Sequence, residues 1–248
     1  MRIHIIACRI FARELGYLAS RSVNQVDITW VGRGLHNTPE NLRTHLRETV
    51  DNIYRQLETG ELEHRPDYIV LGYGLCSNGV VGIRCTDIPI VVPRTDDCIA
   101  LFMGSQSRYL KEFSEADGAV WLNSAWVEQS KSLVDSEDIK RRKWQEYAEK
   151  YGEDNADYLM EVESSWTGNY STMGYIHSCV YDTKENLECA CREADKQGWR
   201  MREIDDDLRL LRMMVDGTWN DEEFLILKPG ERIAPDYTGL KLRAVFDS

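Results

Sequence analysis

The sequence predicts an α/β protein made of two doubly wound, Rossmann-like halves with mainly parallel sheets and a helical insertion between them. Three observations carry this. Residues 1–134 alternate short apolar runs with stretches of helical spacing, residues 135–170 are charged and helical throughout, and residues 171–248 resume the alternation. A chain of 248 residues, 42% of them apolar, has the length and composition for one large or two small packed cores.

The first half opens on the apolar run Ile3 to Cys8, which reads as a buried strand, and Ile10 to Ala19 follows with helical spacing. Gln25 to Val31 alternates as a strand does. Thr38-Pro39-Glu40 is a helix start, with Thr38 at the N-cap and Pro39 in the first turn. The helix runs through Leu42, Leu46, Val50, Ile53 and Leu57, and Gly60 ends it. Tyr68 to Leu71 and Ile88 to Val92 are two more buried strands. Cys98 opens a helix expected to reach Phe113, and Ala119 to Leu122 is a fourth apolar run.

The middle, Asp135 to Glu163, reads as two helices interrupted at Gly152, with a stripe that includes Trp144, Tyr147 and Tyr151 covering the core or a homodimer interface. In the last part Thr172 to Val180 is a strand and Thr183 caps a helix ending near Gln197. Trp199 to Ile204 is a strand, Asp206 to Val215 a helix and Phe224 to Leu227 a short buried strand.

A formal charge of −12 repels phosphate backbones, and the cluster Lys140 to Lys143 sits among acidic residues as one face of a solvated helix, so nucleic acid is not an expected partner. The start Met1 to Ile6 lacks the long apolar region of a signal peptide, and no apolar run has the length of a bilayer span. A cytoplasmic protein is expected, in which seven cysteines point to metal or catalysis more than to disulfides.

Three of these cysteines follow apolar strands: Cys8 ends the first, Cys76 follows Leu71 through a glycine-rich turn, and Cys98 follows Val92 through Pro93 to Asp97. In a parallel sheet those strands would bring the thiols to one carboxyl edge, where open α/β sheets bind ligands. Gly72, Gly74, Ser77 and Asn78 surround Cys76 in a turn expected to approach a cofactor closely, with glycines at positive φ and backbone N–H groups aimed at sulfide or another anion. The segment lacks the lysine that ends a phosphate loop. Arg94 is expected to hold an anionic group of a substrate or else to pair with Asp97, and Asp97 to move a proton. Cys98, at a helix N-terminus, is placed to act as a thiolate.

The other cysteines read differently. Cys85 lies in a loop, Cys189 and Cys191 are two apart on a helix and point to different faces, and His177 with Cys179 forms a core pair or, less simply, a metal or catalytic pair. Tyr73, Trp121, Trp126, Tyr175 and Trp219 are candidates for pocket walls. Asp205 to Asp207 read as a helix cap. Three thiols on separate strand ends suit a four-iron iron–sulfur cluster (4Fe-4S) with one iron open to a small polar substrate; zinc, with three thiolates and water, is the alternative.

Leu71 to Gly79, Pro93 to Ser105, and Gly217 to Leu225 with Pro229-Gly230 together resemble a family of unknown function numbered 1638, over most of the chain. The family pattern carries a histidine where this chain has Asp96, whereas Asp97 and Cys98 match. The resemblance implies an anaerobic setting beside corrinoid-dependent methyl transfer. The expected function is therefore an iron–sulfur lyase or transferase of methyl-compound or sulfur metabolism, with Cys8, Cys76 and Cys98 as ligands. The alternatives are a non-enzymatic accessory or electron-transfer partner of a corrinoid protein, and a zinc–thiolate centre for alkyl transfer.

Overall fold

The computed structural model describes residues 1–35, 38–116, 118–129, 137–165 and 169–246. The chain divides into two compact units, Met1–Leu110 with Asp206–Ser248, and Lys111–Asp205. This division differs from the three segments expected from the sequence, whose boundary at 134 and 135 lies outside the described residues.

The first unit holds β1 (Arg2–Cys8), a 3-10 turn (Arg9–Phe11), α1 (Ala12–Ala19), β2 (Gln25–Val31), α2 (Pro39–Glu58), β3 (Tyr68–Gly72), β4 (Ile90–Pro93) and α3 (Cys98–Phe102). α4 (Gln106–Glu115) leads out of it. After the second unit the chain returns with α9 (Arg209–Asp216), β8 (Phe224–Leu227), β9 (Glu231–Asp236) and β10 (Lys241–Phe246). Its sheet has the order β2-β1-β3-β4-β8. The first four strands are parallel and β8 runs against β4. Strand order therefore reverses at β1, with β2 on one side and β3 on the other, the arrangement that opens a crevice at the carboxyl ends of the two central strands.

The central strands of this sheet are covered on both faces and carry continuous buried runs: Ile69 to Gly72 and all of β4 are buried, as are Ile5 to Cys8. Phe11 meets Phe102 at 4.7 Å between ring centroids within that core. α2 begins where Pro39 predicts, with Thr38 extended but its hydroxyl making no cap bond. The single helix expected from Cys98 to Phe113 is two. Gly104 stands at φ +75° and a Cβ there would lie 2.5 Å from Asp207 Cγ, so the chain must turn at that point.

The second unit holds β5 (Ala119–Asn123), α5 (Ser124–Gln129), α6 (Glu137–Tyr151), α7 (Glu153–Ser165), β6 (Thr172–His177), α8 (Lys184–Gln197) and β7 (Arg200–Asp205). Its sheet is parallel in the order β5-β6-β7, without reversal. Two expectations are corrected here. The fourth apolar run, β5, pairs with β6, and β8 returns to the first sheet, so the two sheets do not follow the halves predicted by sequence. The β5–β6 register has a visible cause: Trp121 lies opposite Gly174, where a Cβ would stand 2.2 Å from the indole Cε3. Leu122, Met173, Tyr175, Ala190, Ala194 and Trp199 form this unit's core. Gly152 separates α6 from α7, as its position predicts. Thr183 caps α8, its hydroxyl accepting from Asn186 N at 3.1 Å. Among the described residues, no helix is long and apolar enough to cross a membrane.

Candidate functional site

β1, β3 and β4 are adjacent and parallel, so their carboxyl ends share one edge of the first sheet. Cys8 ends β1, Cys76 lies just beyond β3, and Cys98 is the first residue of α3. The glycines between β3 and Cys76 are explained by contact. A Cβ on Gly72 would lie 2.6 Å from Ala7 Cβ, and one on Gly74 would lie 2.7 Å from Thr95 O and 2.8 Å from Asp97 N. The loop is thus laced to the segment after β4, with Leu75 N donating to Thr95 O at 2.7 Å and Cys76 N to Asp96 O at 2.8 Å.

Positive φ falls elsewhere than expected. Gly72 and Gly74 do not adopt it, whereas Cys76 (φ 45°), Ser77 (φ 56°) and Asn78 (φ 69°) do so in succession. Left-handed backbone costs a non-glycine residue about 1–2 kcal/mol, and a run of three is unusual outside functional turns. The turn is closed by Gly79 N to Cys76 O at 3.0 Å and Val81 N to Asn78 O at 3.1 Å, and Arg43 Nη2 donates to Asn78 O at 3.3 Å.

Asp97 caps α3, its Oδ1 accepting from Ile99 N at 2.9 Å and Ala100 N at 3.4 Å, and its Oδ2 accepts from the Tyr109 hydroxyl at 3.3 Å. Burial pushes its carboxyl above the usual range despite those bonds. Asp96 binds Gln106 Nε2 at 2.7 Å and Lys241 Nζ at 2.8 Å.

Tyr73 lies near the thiols. Tyr73 is 5% exposed, and its hydroxyl has no hydrogen-bond partner among the described residues. Burial raises its pKa strongly, and the nearby Cys8, Cys76 and Cys98 raise it further, so one hydroxyl senses all three. Burial likewise pushes up the Cys76 thiol, followed by the fields of Asp97 and Cys8. Cys8 is raised by burial and partly relieved by the Ile10 amide and Arg33. Arg33 in turn senses Cys8 and Cys98. Thiols whose pKa is raised in this way stay protonated until a cation or base arrives.

As placed, these groups are not a coordination set: among the described residues, no group of three or more His, Cys, Asp or Glu side chains could hold a metal ion. Arg94 also departs from expectation. Its guanidinium donates to the carbonyls of Phe224 and Leu240, each at 3.3 Å, and closely to that of Leu242, and it does not pair with Asp97. It ties β8 and the β9–β10 hairpin to the end of β4. Arg33 is the arginine beside the thiols. Its signal was positional: it follows β2, the neighbour of β1, so it lies at the same edge.

Cys85 is buried and donates to Ile88 O at 3.2 Å, Cys179 is exposed, and Cys189 and Cys191 lie on α8. Of the aromatic candidates in the first unit, Tyr73 is the one near the thiols. Trp219 packs on Tyr68 at the other end of β3, while Trp121, Trp126 and Tyr175 belong to the second unit. That unit has a polar network of its own. Asp182 Oδ1 accepts from Ser124 at 2.5 Å and Tyr175 at 2.7 Å, and His177 bridges Asp182 Oδ2 at 2.6 Å and Glu203 Oε2 at 2.8 Å. His177 thus pairs with carboxylates and not with Cys179.

Comparison with curated proteins and with solved structures gives no match. One family model matches, and its span contains Cys76, Asp97 and Cys98 but begins after Cys8. With three quarters of its length so matched, from residue 30 to residue 215, the chain belongs to the family described as Protein of unknown function (DUF1638).

Proposed function

We propose that the carboxyl edge of the first sheet is a thiolate centre for a thiophilic metal, an iron–sulfur cluster in the first instance, held by Cys8, Cys76 and Cys98 and serving a small polar substrate. The observation that carries this is the arrival of three cysteine-bearing segments at one carboxyl edge of a parallel sheet, where its strand order reverses, beside Tyr73, whose buried hydroxyl has no hydrogen-bond partner among the described residues. The strained turn at Cys76 supports it, since strain of this kind persists where the surroundings over-determine it.

Bound there, such a centre would supply a Lewis-acidic iron. The chain's own residues do the rest. The thiols must lose protons to become ligands, and Asp97, beside Cys76, is the carboxylate placed to receive one. Arg33 favours negative charge on Cys8 and Cys98. Tyr73 offers its unused O–H to whatever anion occupies the edge. Cys8, Cys76 and Cys98 would hold the centre only after their sulfurs moved together, since among the described residues they do not form a ligand set.

The test is metal and acid-labile sulfide analysis after anaerobic reconstitution of the full chain, repeated on Cys76→Ser and Cys98→Ser. Iron with sulfide in fixed ratio, lost in both variants while circular dichroism is unchanged, supports the reading. Stoichiometric zinc instead would keep the site and change the metal. Uptake of neither, or full uptake by both variants, would sink it.

A further inference from the structure

A cavity of about 850 Å³ opens on the first unit, away from the thiols, and arginines from three chain segments line it: Arg47 of α2, Arg84 of the segment before β4, and Arg232 of β9. Among the described residues Asp51 is the one carboxylate in its lining, and Thr86 adds a hydroxyl. In a chain of net charge −12, three guanidiniums around one void are a local reversal of sign. The volume lies in the range of small-molecule sites.

The backbone makes the arrangement more pointed. Arg84 and Arg232 are paired across an antiparallel bridge. The flanking bonds run from Cys85 N to Glu231 O at 2.8 Å and from Ile233 N to Ile83 O at 3.0 Å, so the two arginines form the pair without mutual backbone bonds. That is the register in which opposed side chains come closest, and like charges placed there repel. The register is fixed from the other face, where Ile83 and Ile233 are buried at 1% and 0% exposure. Two cations are therefore held side by side at the wall of a cavity, with a third facing in from α2. Multidentate guanidinium clusters of this type suit oxyanions.

We propose that this cavity binds a small polyanion, a metabolite carrying phosphoryl or carboxylate groups, with Arg84 and Arg232 sharing one anionic group and Arg47 contributing from α2. Asp51 disfavours a ligand that is anionic over its whole surface and accepts from a hydroxyl or amine on the ligand's body. The site stands independently of the thiol edge.

Calorimetric titration of the full chain with pyrophosphate and, separately, with citrate at low ionic strength tests the proposal. Saturable one-to-one binding of either supports it, and which of the two binds more tightly assigns the group as phosphoryl or carboxylate. Arg84→Gln and Arg232→Gln should each weaken that binding about tenfold or more, whereas Arg65→Gln, which removes a surface arginine paired with Asp87, should leave it unchanged. Binding of neither anion, equal binding by the cavity variants, or equal loss in Arg65→Gln would overturn it.

Discussion

Gly74 and Asp97 meet backbone to backbone: a Cβ on Gly74 would stand 2.8 Å from the amide nitrogen of Asp97. The same amide belongs to the residue that caps α3, so one contact sets both the thiol loop and the start of the helix carrying Cys98. Gly74→Ala cannot be relieved by turning a side chain, because Thr95 O is also only 2.7 Å away. The expected cost is about 1–3 kcal/mol or more, seen as a lower denaturant midpoint, with faster alkylation of Cys76. An unchanged midpoint would show that the two strand ends can move apart freely.

Much of the first sheet was legible because buried parallel strands are continuous apolar runs. Ile3 to Cys8 and Tyr68 to Leu71 announce themselves, as does Pro39 at a helix start. The exchange of strands between sheets was not legible. β5 and β8 are both short apolar runs, and their destinations depend on Trp121 over Gly174 and on the Arg94 bonds to β8, which are long-range contacts. The β9–β10 hairpin was missed because Pro235 interrupts one strand and the run is half polar. At the site, the residue types around Cys76 were visible but their reasons were not. Glycines there answer to close packing, and the left-handed backbone falls on Cys76, Ser77 and Asn78, of which Asn78 alone is a residue type that favours it.

Tyr73 gives a prediction that separates stability from function. Its buried hydroxyl has no partner among the described residues, and an unmet polar group of this kind costs about 1–3 kcal/mol. Tyr73→Phe should therefore raise the melting temperature of the metal-free protein. On the proposed reading the same variant should lower metal retention after reconstitution, since the hydroxyl is a buried donor near the thiols with no partner among the described residues. A melting temperature below that of the wild type would mean that the hydroxyl is already satisfied.

Arg94 is expected to matter to the hairpin. Its fork reaches the carbonyls of Phe224, Leu240 and Leu242 at once, which a lysine ammonium on its single stem cannot reproduce. Arg94→Lys should cost about 1–3 kcal/mol, the usual range for charged hydrogen bonds, and should speed hydrogen exchange in β9 and β10 before it affects β1. Wild-type protection in the hairpin of that variant would remove Arg94 from this role.

The His177 network predicts a pH window for the second unit. Burial works against the charged ring, but Asp182 and Glu203, one on each nitrogen, outweigh it and raise the pKa above 6.5. Asp182 is disfavoured by burial yet lowered below 3.8 overall by Ser124, Tyr175 and His177. A raised histidine contributes stability in full below its unfolded pKa, and that contribution disappears as pH rises through the folded value. A lowered carboxylate contributes above its unfolded pKa and loses that contribution as pH falls through its folded value. Stability from the pair is therefore greatest between about pH 4 and 6.5 and declines on the alkaline side first. In His177→Gln the alkaline decline should flatten, because both carboxylates keep at most a neutral donor at every pH. Denaturant midpoints across the pH range, with the imidazole resonance followed by NMR, check this: a wild-type imidazole midpoint at or below 6.5, or parallel curves for the two proteins, would contradict it.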